Sequence, residues 1–324
     1  MDAESAGRSG TQPSPPSEAR KTKSRSGDRD FIGSSLLTPY LFMAPYLVLF
    51  FTFVLIPALF GIWISFHNWD YLLPGKPWVG LGNYVDLFTP GSATSGDFWQ
   101  SMEATGKFTL YSVPFLVVIP LLIALILNQK FPGRSFFRAA YFAPYVLGVA
   151  VVGILWRFLL DPNVGLVNYY LGLLGVEHNI PWITALPWAW VSLVGMTVWW
   201  TLGFNAVIYL AGLQDIDPAL YDAAKVDGAN RWQRFLNVTL PGLRPVLLLV
   251  ITITILASAN VFGQPYIVTK GAPANETRSA IMYIAQWGLR DFNMGSAAAM
   301  SYVLALALAL VSLLNFVLFR RGED

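Results

Sequence analysis

The sequence predicts an all-α, polytopic membrane protein with six transmembrane helices. Three observations point there. Of its 324 residues 55% are hydrophobic and only 12% charged, whereas soluble domains carry about 25% charged residues. Six apolar runs reach or approach the roughly 20 residues needed to cross a bilayer. They cover 39–66, 108–129, 137–160, 188–213, 246–262 with its flanks, and 296–319. The charges that remain gather between these runs, and no Asp, Glu, Lys or Arg falls near the middle of one.

Residues 1–30 are rich in Ser, Pro, Gly, Arg and Lys. Such a segment cannot bury a core, and we expect a disordered basic tail. It has neither the apolar run nor the small-residue cleavage site of a secretory signal. Residues 31–324 then form one membrane domain. The third and fifth runs are the shortest and need their polar flanks to complete a span. Segments 67–106, 161–187 and 263–295 are the expected outer loops, none long enough for a separate domain. An even number of spans puts both ends on one side. With the N-terminus inside, the inner segments hold fifteen of the 21 Lys and Arg residues and the outer ones six. The positive-inside rule therefore places both termini in the cytoplasm, with the chain in the cell membrane. Trp69, Trp78, Trp99, Trp156, Trp182, Trp188, Trp190 and Trp287 fall in the outer loops or near the outer span ends, as an aromatic belt and an external docking surface require.

Residues 213–245 are the most polar internal stretch. Asp217 is a good N-cap and Pro218 suits the first helical position, predicting a helix over Pro218–Val226. Gly228 breaks it. Asn230 caps a second helix, which Pro241 is expected to end. A polar helix-turn-helix between spans lies in water, where it can touch a soluble partner. Small Ala223 and Ala224 would let the first helix sit against a groove wall, with Tyr221 and Val226 filling apolar pockets there. A bulky residue at Gly228 should disturb the turn by sterics and by disallowing positive φ.

Several chemistries are excluded. There are no cysteines, hence no disulfide or thiolate metal site. His67 and His178 flank apolar runs and suit the membrane interface better than a metal. No G-x-x-x-x-G-K-[ST] occurs: Gly106-Lys107 has Ser101 in place of the first Gly and Phe108 in place of Ser/Thr. This chain is thus expected to bind no ATP and no other cofactor, and nothing in it points to nucleic acid. Ion-coupled carriers place ionisable groups within their spans, and no internal repeat suggests a secondary transporter. A polar loop without its own energy source implies a separate ATPase that uses ATP on its behalf.

Uncharged polar groups do lie at depth. Trp199, Trp200, Thr201 and Asn205 fall in the fourth span; Thr252, Thr254, Ser258, Asn260 and Gln264 run along the fifth. Such groups serve helix packing or face a cavity. Amides, hydroxyls and aromatic faces suit a neutral carbohydrate, whereas an anionic substrate would want Arg or Lys.

The polar loop closely resembles the cytoplasmic "EAA" loop of ABC importer permeases, in the residues Asp222-Ala223-Ala224, Asp227-Gly228-Ala229, Phe235, Leu240-Pro241 and Pro245. Asp222 stands where the family usually has Glu. APYLVLFFTFVLIPALFGIWISFHNWD, WVGLGNYVDLF, FRAAYFAPYVLGVAVVGILWRFLLDPNVGLVNYYLGLLG, VFGQPYIVTKGAP and FNMGSAAAMSYVL extend the resemblance over residues 36–321. They look like carbohydrate ABC importer permeases of the branch containing the larger maltose-permease subunit. The resemblance implies a type I importer fold with a cytoplasmic coupling helix, and a non-enzymatic translocation subunit. It further implies a second permease subunit, two ATPase subunits on the loop and an extracytoplasmic sugar-binding protein. By position it implicates Trp200, Thr201, Phe204, Asn205, Ser258 and Asn260 in substrate binding. In the same way it assigns coupling to Tyr221, Asp222, Ala223, Ala224, Asp227, Gly228, Ala229 and Pro241. A permease for a glycerol-phosphate ester in the same family is the alternative; a membrane enzyme or a channel is the reading from another class.

Overall fold

The computed structural model describes residues 38–176 and 179–320. The expected basic tail over 1–30 and His178 lie outside the described residues. These divide into two compact units, one ending at Ile56 and one starting at Pro57. Among the described residues the secondary structure is helical, with only isolated bridges such as His67 to Trp78.

The first unit holds α1 (Thr38–Phe50) and a π-turn, Phe51–Leu55. The second contains most of α2 (Ile56–Ser65), then α3 (Gly82–Phe88), α4 (Ser95–Asn128), α5 (Arg134–Val146), α6 (Val149–Leu159) and α7 (Leu166–Leu173). It continues through α8 (Trp188–Asp215), α9 (Pro218–Val226), α10 (Arg231–Arg234), α11 (Leu240–Gly242), α12 (Arg244–Ala259), α13 (Ala280–Ala285) and α14 (Met294–Arg320). Four stretches are long and apolar enough to cross a membrane: Tyr40–Ser65, Ser95–Asn128, Trp188–Asp215 and Met294–Asn315. Two bent pairs, Arg134–Val146 with Val149–Leu159 and Arg231–Gly242 with Arg244–Ala259, raise the number to six if each is one span.

The second span is longer than its apolar run. α4 starts at Ser95 rather than near 108, inside the expected outer loop. Its 34 residues would reach about 51 Å at ~1.5 Å per residue, against a hydrocarbon core of about 30 Å. Hydropathy misses the extra turns because they carry Asp97, Glu103 and Lys107. They are helical because Phe98, Ser101, Thr105, Phe108, Ser112 and Leu116 form one buried stripe at helical spacing. Glu103 also pairs with Lys107 at 2.8 Å, one turn on.

α4 and α8 run parallel at the centre of the second unit. Phe108 shares a cluster with Leu193 and Met196, while Leu121 and Ala124 share another with Tyr209 and Leu213. Both helices therefore start at one end of the bundle and finish at the other, where α9 lies. A third cluster, Leu87, Phe98, Tyr283, Ala299 and Met300, holds α3, α13 and α14 around the start of α4.

The third predicted span is broken. α5 and α6 meet at 96°, because Leu147 and Gly148 are both extended (ψ 137 and 149). α5 can approach α8 closely because Gly203 has no side chain: a Cβ there would meet the Tyr141 carbonyl oxygen and, at 2.5 Å, the Phe142 Cα.

Pro241 does not end the helix after Asn230. A π-turn at Phe235–Thr239 precedes it, with the Leu240 N–H donating to Phe235 O. The same arrangement precedes Pro57, where the Ile56 N–H donates to Phe51 O. A proline ring clashes with the carbonyl four residues back, and the wider π ring moves that carbonyl aside. The chain turns instead at Leu243, which is fully buried, and α12 leaves at 67°.

Candidate functional site

A cavity of about 480 Å³ opens between α4, α5, α8 and α12. All six residues implicated in substrate binding line it: Trp200, Thr201, Phe204 and Asn205 from α8, Ser258 from α12 and Asn260 at its C-cap. The one-turn spacing of Thr197, Thr201 and Asn205 puts them on a single face of α8, and Thr254 and Ser258 do the same on α12. No charged side chain is among the lining residues.

One wall is aromatic. Tyr145 stacks on Phe204 (4.7 Å between centroids, 18°) and lies 6.3 Å from Trp200. Sequence reasoning does not single out Tyr145 or Thr197. Pro144 and Gly148, two helix breakers inside an apolar run, mark the place where backbone can be exposed to a cavity. Trp200 has a second task there, since its Nε1–H donates to Leu147 O at 2.9 Å. That carbonyl lies at the break between α5 and α6, and an unpaired one at membrane depth is costly.

The polar groups are partly committed to the protein itself. The Asn205 amide donates to Leu116 O (2.9 Å) and, more weakly, to Thr254 Oγ1 (3.4 Å). No hydrogen bond among the described residues uses its Oδ1. Asn260 donates to Leu256 O at 2.7 Å, Thr201 to Thr197 O at 2.8 Å, and Ser258 Oγ accepts from the Ser112 hydroxyl at 3.1 Å. Each hydroxyl keeps lone pairs able to accept from a ligand hydroxyl.

The second candidate region lies at the far end of α8. The helix Pro218–Val226 has the expected cap, with Asp217 Oδ1 accepting from the Ala219 N–H at 2.8 Å. Gly228 has φ +78°, and Asn230 with Gln233 forms a capping box. Two expectations change. Space around Gly228 is open, with nothing within 4 Å of the point where a Cβ would project, so a larger residue is opposed by backbone conformation and not by a clash. Tyr221 is half-buried and turned toward the chain's own bundle: it packs against the cluster that holds Leu213, Ile216 and Leu243, and its hydroxyl is 3.0 Å from Thr239 Oγ1.

Val226 is 88% exposed, and Leu220 and Trp232, which carry no signal in the sequence alone, are exposed in the same loop. Asp222, Ala223, Asp227 and Pro241 are also exposed, while Ala224 and Ala229 are half-buried. The Asp222 carboxylate already pairs with Lys225 at 2.7 Å, an exposed contact worth about 0–1 kcal/mol. Buried Leu213, Ile216 and Leu243 pin both ends of the loop to the bundle. At the opposite end, His67 is buried with Trp63, Trp69 and Trp78 around its ring, and its Nδ1 is 2.8 Å from Trp63 O.

Residues 107–322 match the family described as binding-protein-dependent transport system inner membrane component. The trehalose/maltose transport system permease protein MalF of Thermococcus litoralis is 33% identical over 276 residues, covering 85% of this chain and 92% of that protein. The arabinooligosaccharides transport system permease protein AraP of Bacillus subtilis is 34% identical over 315 residues, 96% of each chain. A crystal structure of a bacterial ABC transporter involved in the import of the acidic polysaccharide alginate has a chain similar in fold. Its TM-score is 0.76 at 25% identity, covering 88% of this chain and 96% of that one. The chain belongs to the family of binding-protein-dependent transport system inner membrane components and is a multi-pass membrane protein.

Proposed function

We propose that this chain is a permease subunit of an ATP-driven importer that moves a neutral sugar or oligosaccharide. The carrying observation is the cavity: amide, hydroxyl and aromatic groups surround it, and none of its lining residues bears a charge. Neutral sugars are held by such groups, whereas a uronate or a phosphate ester calls for a cation. The relatives named for trehalose/maltose and for arabinooligosaccharides support a sugar. The uncharged lining supports this reading over an acidic cargo such as alginate and over a glycerol-phosphate ester.

In this reading six spans cross the membrane, two of them bent, and both termini lie in the cytoplasm. The basic residues between α4 and α5 and in the 225–244 region support that orientation. The chain works with a second permease subunit and with an extracytoplasmic binding protein that delivers the sugar. It is not itself an enzyme and holds no cofactor. Two ATPase subunits dock on the loop of the coupling helix α9, where Leu220 and Val226 of α9 and Trp232 of α10 are exposed apolar side chains.

A reporter fused at Asp324 should signal from the cytoplasm and one near Gly91 from outside; the reverse pattern contradicts the orientation. The function is tested by ATP-driven uptake into vesicles carrying the reconstituted complex, with a neutral oligosaccharide set against a uronate and a glycerol-phosphate ester.

A further inference from the structure

Away from the cavity, the charged side chain with the fullest set of partners among the described residues is Arg278. It is only 7% exposed. Its Nη2 lies 2.8 Å from Asp97 Oδ1, in an ion-pair contact not aligned as a hydrogen bond. Its Nε–H donates to Ser101 Oγ at 3.2 Å, and the guanidinium lies over the Tyr283 ring, 4.6 Å from the centroid. Asp97 and Ser101 are one turn apart on the protruding part of α4. Arg278 belongs to the segment linking α12 to α13.

More contacts tie that segment to the same turns. Lys107 sits 2.8 Å from Glu103 and 3.5 Å from Glu276. Gln100 donates to Ala274 O at 3.2 Å, and Thr105 Oγ1 accepts from the Ala280 N–H at 2.8 Å. Between them Lys270, Ala274 and Asn275 have φ of 54°, 45° and 64°. Non-glycine residues stay in that region only where the surroundings hold them.

The segment begins in the cavity wall. Phe262, Gly263 and Gln264 line the cavity, and the π-turn Pro265–Thr269 follows at once. Thr269 Oγ1 and Thr277 Oγ1 are 2.7 Å apart and buried. One buried hydrogen bond therefore joins the turn that follows Gln264 to the residue beside Arg278. Arg278 is buried but the Asp97 side chain is half exposed, so the pair adds little stability; what it does is seat the segment at one place on α4.

We propose that Asp97, Ser101 and Arg278 are positioning residues for transport. By seating the α12–α13 segment on α4 they fix the cavity wall formed by Phe262 and Gln264, and so hold a bound sugar in place while the ATPases turn over. This rests on the cavity being the sugar site. They touch no substrate; their effect passes through the Thr269–Thr277 contact.

The test uses the complete complex in proteoliposomes with its binding protein, and reads sugar moved per ATP hydrolysed. Arg278→Met should lower that ratio several-fold while stimulated hydrolysis stays near the unaltered level. Asp97→Asn should lower it less, and Arg278→Lys, which keeps the charge, should restore part of it. A fully assembled Arg278→Met complex with an unchanged ratio overturns the proposal. Failure of all three variants to assemble also overturns it, reducing the cluster to a folding support. An unaltered complex that moves no sugar contradicts the sugar reading instead, and is seen without any substitution.

Discussion

Gly228→Val should abolish uptake while leaving the chain inserted in the membrane. Gly228 holds φ +78° between the first and second helices of the loop, and the left-handed region costs an L-residue roughly 1–2 kcal/mol, more for a β-branched side chain. The simplest relief is to rotate φ out of that region, which re-aims α9 against α10. The space around Gly228 is open, so size alone is not the obstacle. Gly228→Asn, able to adopt the same conformation, should keep most of the uptake. The measurement is uptake together with ATPase stoichiometry and stimulated hydrolysis in the purified complex. Normal values of all three in the Val variant would show that this loop does not couple hydrolysis to transport.

The second large effect is expected at Trp200. Trp200→Phe keeps an aromatic face in the cavity but leaves Leu147 O without its donor at the break between α5 and α6. The contact is an exposed one, so water can replace the lost donor, and uptake should fall only in part. Trp200→Ala loses the face as well and should fall further. Asn205→Ala should also fall, since its amide ties α8 to Leu116 O. Asn260→Ala should give a partial defect, because its amide is spent on the adjacent turn. Basal hydrolysis and assembly should persist in all four. Unaltered uptake in Trp200→Ala and Asn205→Ala would leave helix packing as their only role.

Local chemistry made the loop readable. Asp217, Pro218, Gly228 and Asn230 act within one or two turns of themselves, and the structure places the cap, the left-handed glycine and the capping box at those residues. The cavity residues were named as a group by the family resemblance, and turn spacing explains why the polar ones among them share a face of α8 and of α12. What stayed hidden depends on distant parts of the chain. α4 keeps its extra turns by burying Phe98 against Tyr283 and Met300, which no local window contains. Pro241 reads as a terminator until the π-turn before it is seen. Arg278 reads as one more loop charge, because Asp97 and Ser101, its partners, are far away in sequence. Tyr145 joins the cavity only because the chain breaks at Leu147.

The measurement that bears most directly on the central claim is uptake by vesicles holding the full complex, made with and without ATP. The account predicts ATP-dependent accumulation of a neutral sugar or oligosaccharide delivered by the binding protein, with no accumulation of a uronate or a glycerol-phosphate ester. Accumulation of an anionic substrate in place of a neutral one would contradict it.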